Sequence, residues 1–108
     1  MGRNLRKEHQ KLANTHKESK YRFILTELDL ATTFCDIALG SRDQVRSTRN
    51  TENARQAYKA ATHFLEGANF SDKMTASVQE RVARLRVLLR RIDRHEYRLV
   101  AAGPLLAQ

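Results

Sequence analysis

Residues 51–68 have the sequence TENARQAYKAATHFLEGA, and the spacing of the apolar residues in this stretch decides the fold. The apolar positions lie 3, 4, 7, 10, 11 and 14 residues after the first of them, which is the spacing of one face of an α-helix. They are Ala54, Ala57, Tyr58, Ala61, Phe64, Leu65 and Ala68. Asn50 or Thr51 can cap the start of this helix and Gly67 can stop it, so we predict a helix over 51–66. Because the face is rich in alanine, we expect neighbouring helices to approach it closely and cover it.

The segment before this helix carries two apolar rows. The first row has helical spacing along 19–39, where we predict the first helix, and it consists of Tyr21, Ile24, Leu28, Ala31, Cys35 and Ala38. The second row, Phe23, Leu30 and Ile37, lies well round the helix from the first. A helix that is apolar over more than half of its circumference is central in a fold or lies at an interface. We therefore expect the second row to be hidden from solvent, within one molecule or between two.

A third helix is predicted over residues 72–100 from another row with helical spacing. That row contains Met74, Val78, Val82, Leu85, Leu88, Leu89 and Ile92. We expect Gly103-Pro104 to end any helix and the polar residues 41–50 to form a loop. The sequence thus predicts an all-α fold in which the first helix contacts both others. The expected architecture is an antiparallel three-helix bundle with helices over about 19–39, 51–66 and 72–100.

Basic residues concentrate at the two ends of the chain. The formal net charge is +8, with six Lys or Arg against two Glu in residues 1–20 and eight against four acidic residues in 71–108. Residues 1–18 contain few apolar side chains, so we expect a basic arm that is flexible or a helical extension. One domain over 19–100 and a tail over 101–108 would follow it. Such an excess of charge attracts nucleic acid or an anionic surface, or it only keeps helix surfaces solvated.

The residue types that carry catalysis are sparse and scattered. The four histidines have no Cys, Asp or Glu at a spacing that builds a metal site, and the single cysteine, Cys35, lies on the first apolar row. No glycine-rich phosphate loop is present. We therefore predict no enzyme, no metal and no cofactor. The chain has no run of about 18 apolar residues and no secretory signal, which predicts a cytoplasmic protein without a transmembrane segment.

Two helical families resemble parts of this chain. The spacing Ala54-x3-Tyr58-x2-Ala61 resembles the second helix of a tetratricopeptide repeat, and Leu30-Ala31-x2-Phe34 is similar to its first helix, with a longer predicted loop between them. The segment 54–92 also resembles a microtubule-interacting-and-transport-type three-helix domain. The chain is similar as well to small bacterial proteins of unknown function.

The resemblance to these two families implies a scaffold that binds a peptide or a helix in a groove between helices. It carries over no catalytic residue. Thr32 and Asp36 on the first helix are the groove positions that it implies for this chain.

Two functional hypotheses follow from these observations. The leading one is protein interaction through the second row, Phe23, Leu30 and Ile37, either as a homodimer or by capture of a partner helix. The alternative is binding of nucleic acid or an anionic surface through the basic arm and an arginine row on the third helix. The arginine row consists of Arg84, Arg91, Arg94 and Arg98.

Overall fold

A computed structural model describes the backbone of residues 2–106 and the side chains of residues 15–95. Three α-helices follow each other along the chain: α1 (Gly2–Gly40), α2 (Gln44–Leu65) and α3 (Asp72–Leu106). The described backbone contains no β-strand. The predicted all-α, three-helix architecture is therefore confirmed.

Helix α1 is the central element, because it packs against both α2 and α3. It runs antiparallel to α2: Ser47 donates a hydrogen bond of 2.9 Å to the carbonyl oxygen of Ala38 near one end, and the ring centroids of Phe23 and Phe64 lie 4.9 Å apart near the other. Tyr21 of α1 contacts Phe70 just before α3, and Asp29, further along α1, pairs with Arg81, further along α3, so these two helices run parallel. The chain is thus an up-down-up bundle in which the first helix contacts both others, as predicted.

The core lies on the first apolar row of α1. Small buried residues on α1 (Ala31, Cys35, Ala38) and α2 (Ala54, Ala57, Ala61) characterise the junction of these helices, where little side-chain volume separates the backbones. The remaining members of the core are Ile24, Leu28, Val78, Val82, Leu85 and Ile92. Phe64 is the exception among the large residues of the predicted α2 face, because 41% of it remains exposed.

The predicted loop over 41–50 is wrong, because only residues 41–43 connect α1 to α2. Asp43 caps the start of α2, where its side chain accepts hydrogen bonds from the amides of Val45 and Arg46 at 3.0 and 3.4 Å. Thr51, which is buried, donates to the carbonyl oxygen of Ser47 at 2.9 Å. The residues that face the bundle in the first turns of α2 thus carry hydroxyl groups and not apolar side chains. For this reason the first turns of α2 show no hydrophobic periodicity in the sequence.

Helices α1 and α3 are longer than predicted. Helix α1 begins at Gly2, so its 39 residues measure about 58 Å against about 33 Å for the 22 residues of α2. Helix α3 continues to Leu106, so the prediction that Gly103-Pro104 ends it is wrong. Pro104 lies in the last turn, where its missing N–H removes one hydrogen bond and no further turns depend on it. The side chains of residues 1–14 and 96–108 lie outside the described part of the chain.

The connector between α2 and α3 is held by local hydrogen bonds. Gly67 has a φ of 73°, a left-handed conformation that glycine adopts without strain. The amide of Ala68 donates to the carbonyl oxygen of Leu65 at 3.1 Å, and the hydroxyl of Ser71 accepts from the amide of Met74 at 3.2 Å. The connector thereby places the Phe70 ring edge-on to Tyr21 of α1, with centroids 5.6 Å apart.

Within the part of the chain that the structure describes, no helix has an apolar stretch that is long enough to cross a bilayer.

Candidate functional site

The second apolar row of α1 lies on the flank of this helix that adjoins α2. Phe23 is 40% exposed and Leu30 is 42% exposed, while Ile37 is half-buried. None of the three belongs to the core cluster, whereas Phe34, which lies between the two rows, packs against it. The bundle itself therefore covers this row only in part, and a cover between molecules stays a prediction.

Helix α2 adds a fourth large side chain to this surface. Phe64 is 41% exposed and meets Phe23 edge-to-face, with an angle of 75° between the rings. The surface is concave in two places, one of about 500 Å³ next to this aromatic pair and one of about 330 Å³ next to Leu30. We call it the α1–α2 groove, and its apolar members are Phe23, Leu30, Phe34, Ala57 and Phe64.

Polar side chains along the groove are mostly uncharged in its middle and basic at one end. Asn53 and Gln56 of α2 and Glu27 of α1 line the part around Leu30. His16 and Lys20 of α1 line the part around the aromatic pair. The groove is therefore an apolar surface whose end near the N-terminal half of α1 carries positive charge.

Thr32 and Asp36 are not part of this groove. At about 100° per residue, Thr32 lies about 200° round α1 from Leu30. Its hydroxyl donates to the carbonyl oxygen of Leu28 at 3.0 Å. Asp36 is exposed and lies two turns after Asp29 on the same flank of α1. Asp29 forms an ion pair of 3.0 Å with Arg81 of α3, so this flank faces α3. The structure thus separates the groove positions implied by the family resemblance from the second apolar row.

The predicted arginine row divides into paired and unpaired members. Arg84 contacts Glu80 one turn earlier on α3 at 3.4 Å. Arg91 and Arg94 are exposed, and they form no hydrogen bond or ion pair with the side chains that the structure describes. Arg98 lies outside the described side chains. The flanking Arg86 donates from Nε to the hydroxyl of Tyr58 at 3.3 Å, so it connects α3 to α2.

Cys35 is a core residue, as predicted. It is fully buried in the centre of α1, and burial raises the pKa of its thiol to about 11, with a smaller contribution from the neighbouring carboxylate of Asp36. Arg55 acts in the opposite direction and does not offset burial. At pH 7 such a thiol is about one part in ten thousand thiolate, which is the reactive form. This environment suits a small hydrophobe and not a nucleophile.

A second concave surface was not anticipated from the sequence. His16, Lys17 and Lys20 of α1 face the α2–α3 connector across a pocket of about 380 Å³, and residues 67–70 form its opposite wall. We call it the basic pocket. The cluster of basic residues on α1 is visible in the sequence, but its juxtaposition with a connector some fifty residues away is not. Within the described side chains, no group of three or more His, Cys, Asp or Glu is placed to hold a metal ion.

Comparison of the chain with models of protein families, with curated proteins and with solved structures finds no match. The resemblance to tetratricopeptide and microtubule-interacting-and-transport domains therefore stays a prediction. Functional inference starts from the groove and the pocket themselves.

Proposed function

We propose that this protein is a non-enzymatic interaction module of the cytoplasm whose α1–α2 groove binds an amphipathic helix of a partner protein. The observation that carries the proposal is that three large apolar side chains along the α1–α2 groove, Phe23, Leu30 and Phe64, are each about two-fifths exposed. A cytoplasmic setting agrees with the single free thiol of Cys35, which stays reduced there.

The spacing of the groove suits a helix. Phe23 and Leu30 in the groove and the half-buried Ile37 beyond it repeat every seven residues, which places them about 10.5 Å apart along α1, the repeat of apolar residues in packed helices. The row spans about 21 Å, so a partner helix of about four turns would cover it. Asn53 and Gln56 on the α2 side offer amide groups to the polar edge of such a helix.

The exposed area sets the scale of the affinity. Two-fifths of about 200 Å² for each of the three large side chains amounts to about 240 Å², or about 6 kcal/mol at about 25 cal/mol per Å². Association costs at least about 4 kcal/mol of translational and rotational freedom. The net from this chain's own area is thus about 2 kcal/mol, or a dissociation constant of about 30 mM. Because a partner helix buries a similar apolar area of its own, we expect weak binding in the micromolar to millimolar range.

Charge favours a foreign, acidic helix over a second copy of the chain. The chain has a net charge of +8, and His16 and Lys20 lie at one end of the groove. A second copy would bring the same excess of positive charge against it, whereas an acidic helix is complementary. The groove is thus best suited to an amphipathic helix whose carboxylates flank its apolar face, where they can approach Lys20.

A designed peptide tests this proposal. The probe is a four-turn helix with leucines on one face and glutamates elsewhere, and the matched probe carries lysine in place of glutamate. Titration into ¹⁵N-labelled protein should shift the amide resonances around Leu30 and Phe64 with the acidic probe and not with the basic one. Leu30→Lys should abolish these shifts, while Val87→Lys should leave them, because Val87 is 47% exposed on α3 away from the groove.

Two outcomes would contradict the proposal. Equal loss of binding in Leu30→Lys and Val87→Lys would show that the groove has no special role. A sedimentation experiment in which the unmodified protein dimerises and Leu30→Lys does not would assign the groove to a second copy instead.

Nucleic-acid binding is the second candidate function, and the unpaired Arg91 and Arg94 on α3 favour it. Guanidinium groups bind phosphate bidentately, and such binding is strongest at low salt. Binding to mixed DNA and RNA should then fall steeply in a salt titration. Absence of binding at low salt would remove this candidate.

A further inference from the structure

We infer that the basic pocket between α1 and the α2–α3 connector binds the phosphate group of a phosphate monoester. This inference does not rest on the proposed helix binding, although the pocket and the α1–α2 groove share two residues. Three observations carry it: the cations that line the pocket, the free amides of the connector, and the aromatic surface next to it.

The lysines of the basic pocket have no counter-ion among the side chains that the structure describes. Lys17 and Lys20 are half-buried, and together with His16 they line one wall. None of these three side chains forms an ion pair or hydrogen bond with the described part of the chain, and no carboxylate lines the pocket. Two ammonium groups beside one cavity repel each other, so a multivalent anion between them is stabilising.

The connector, which forms the opposite wall, contains neutral donors. The amides of Asn69 and Phe70 donate no hydrogen bond to any described residue, whereas the amide of Ala68 is satisfied by Leu65. Successive unpaired amides in a turn are a common component of anion sites. Lysine binds phosphate as a point charge, and the dianion of a phosphate monoester matches two lysines better than a single carboxylate does.

The pocket continues into an aromatic surface, which indicates what the phosphate is attached to. His16 and Lys20 line both the basic pocket and the adjoining part of the α1–α2 groove, where Phe23 and Phe64 meet. A phosphate between the lysines would therefore leave its ester group next to these two rings. We expect an apolar organic part, either an aromatic ring or a short acyl chain, to bind more tightly than inorganic phosphate.

Titration of the full chain with three anions tests the inference: inorganic phosphate, phenyl phosphate and a short-chain phosphatidic acid kept monomeric. The readout is the ¹⁵N chemical shift of the Asn69 and Phe70 amides at constant ionic strength, with chloride as the reference anion. We expect saturable shifts at millimolar concentrations, with at least one of the two esters tighter than inorganic phosphate. The tighter ester identifies the organic part as aromatic or lipid.

Matched variants separate a site from general charge attraction. Lys17→Gln with Lys20→Gln should weaken phenyl phosphate about tenfold or more. Lys59→Gln with Arg42→Gln removes the same two charges from exposed positions outside the pocket and should change the affinity less than about twofold. Phe64→Leu should weaken phenyl phosphate and leave inorganic phosphate unchanged.

Three results would overturn the inference: no saturable shift of Asn69 and Phe70 with any of the anions, equal losses in the two double variants, or inorganic phosphate binding as tightly as both esters. None of these results bears on the helix proposal, because that proposal is read from Leu30 and from peptide probes. Far-ultraviolet circular dichroism of each variant checks that the helices persist.

Discussion

Leu28 and Leu30 lie two positions apart on α1 and differ in burial, so their replacement by alanine compares the core with the groove. Leu28 is fully buried, whereas Leu30 is 42% exposed. The two substitutions change helix propensity by the same amount, because residue type and helix are the same. Any difference between them in the free energy of unfolding therefore reports packing.

The structure sets the size of the two effects. Leu28→Ala removes a fully buried side chain and leaves a cavity in the core, which costs about 3–5 kcal/mol. Leu30→Ala removes a side chain that is little more than half covered and opens to solvent without a cavity, so about 1 kcal/mol is expected. A domain of this size has about 5–15 kcal/mol of stability in all, so the first substitution removes a large part of it.

Urea unfolding followed by far-ultraviolet circular dichroism measures both effects. The midpoint should fall by about 2 M for Leu28→Ala and by less than about 1 M for Leu30→Ala, with an unchanged slope. Equal losses for the two variants would refute the reasoning, because Leu30 would then be as well covered as the core. If the two losses of stability were equal only at high protein concentration, a second copy of the chain would be covering Leu30.

Two further predictions concern Cys35 and the glycines. The thiol of Cys35 has a pKa raised from 9.0 to about 11 in the folded protein, so folding favours the protonated thiol. The contribution of this buried thiol to the free energy of unfolding is therefore full below pH 9.0 and is lost as the pH rises towards 11. The urea midpoint should fall over that range, and Cys35→Ala should show a smaller fall. Gly67→Ala should cost about 1 kcal/mol, because a φ of 73° strains alanine although nothing lies within 4 Å of the added carbon. Gly40→Ala, with the same open space and no positive φ, should be neutral or stabilising in the same assay.

Helix type and core membership were predictable because they depend on local spacing. Each of Ile24, Leu28, Ala54, Val82 and Leu85 was placed on a helical row by sequence, and each is buried. Periodic apolar spacing reports the face of a helix wherever a core covers it, so this information needs no knowledge of the partner.

The ends of the helices were less predictable, because apolar periodicity does not mark them. The start of α2 depends on one carboxylate, Asp43, and on the hydroxyl groups of Ser47 and Thr51 that bond to the backbone. These residues are equally common in loops, since the same side chains cap turns. The segment 44–50 was therefore predicted as loop and is helix.

What the amino-acid sequence determines by itself is that three helices form and which of their faces carry apolar side chains. Only the tertiary structure decided which of the two rows on α1 is covered. Both rows have helical spacing, but α2 and α3 close over the one that contains Leu28 and leave Phe23 and Leu30 exposed beside α2. It also brought Lys17 and Lys20 against the connector at 67–70. Whether a side chain is buried, and which charges lie near each other, depends on how two helices or a helix and a connector pack together. The spacing of residues within one helix therefore cannot specify either property.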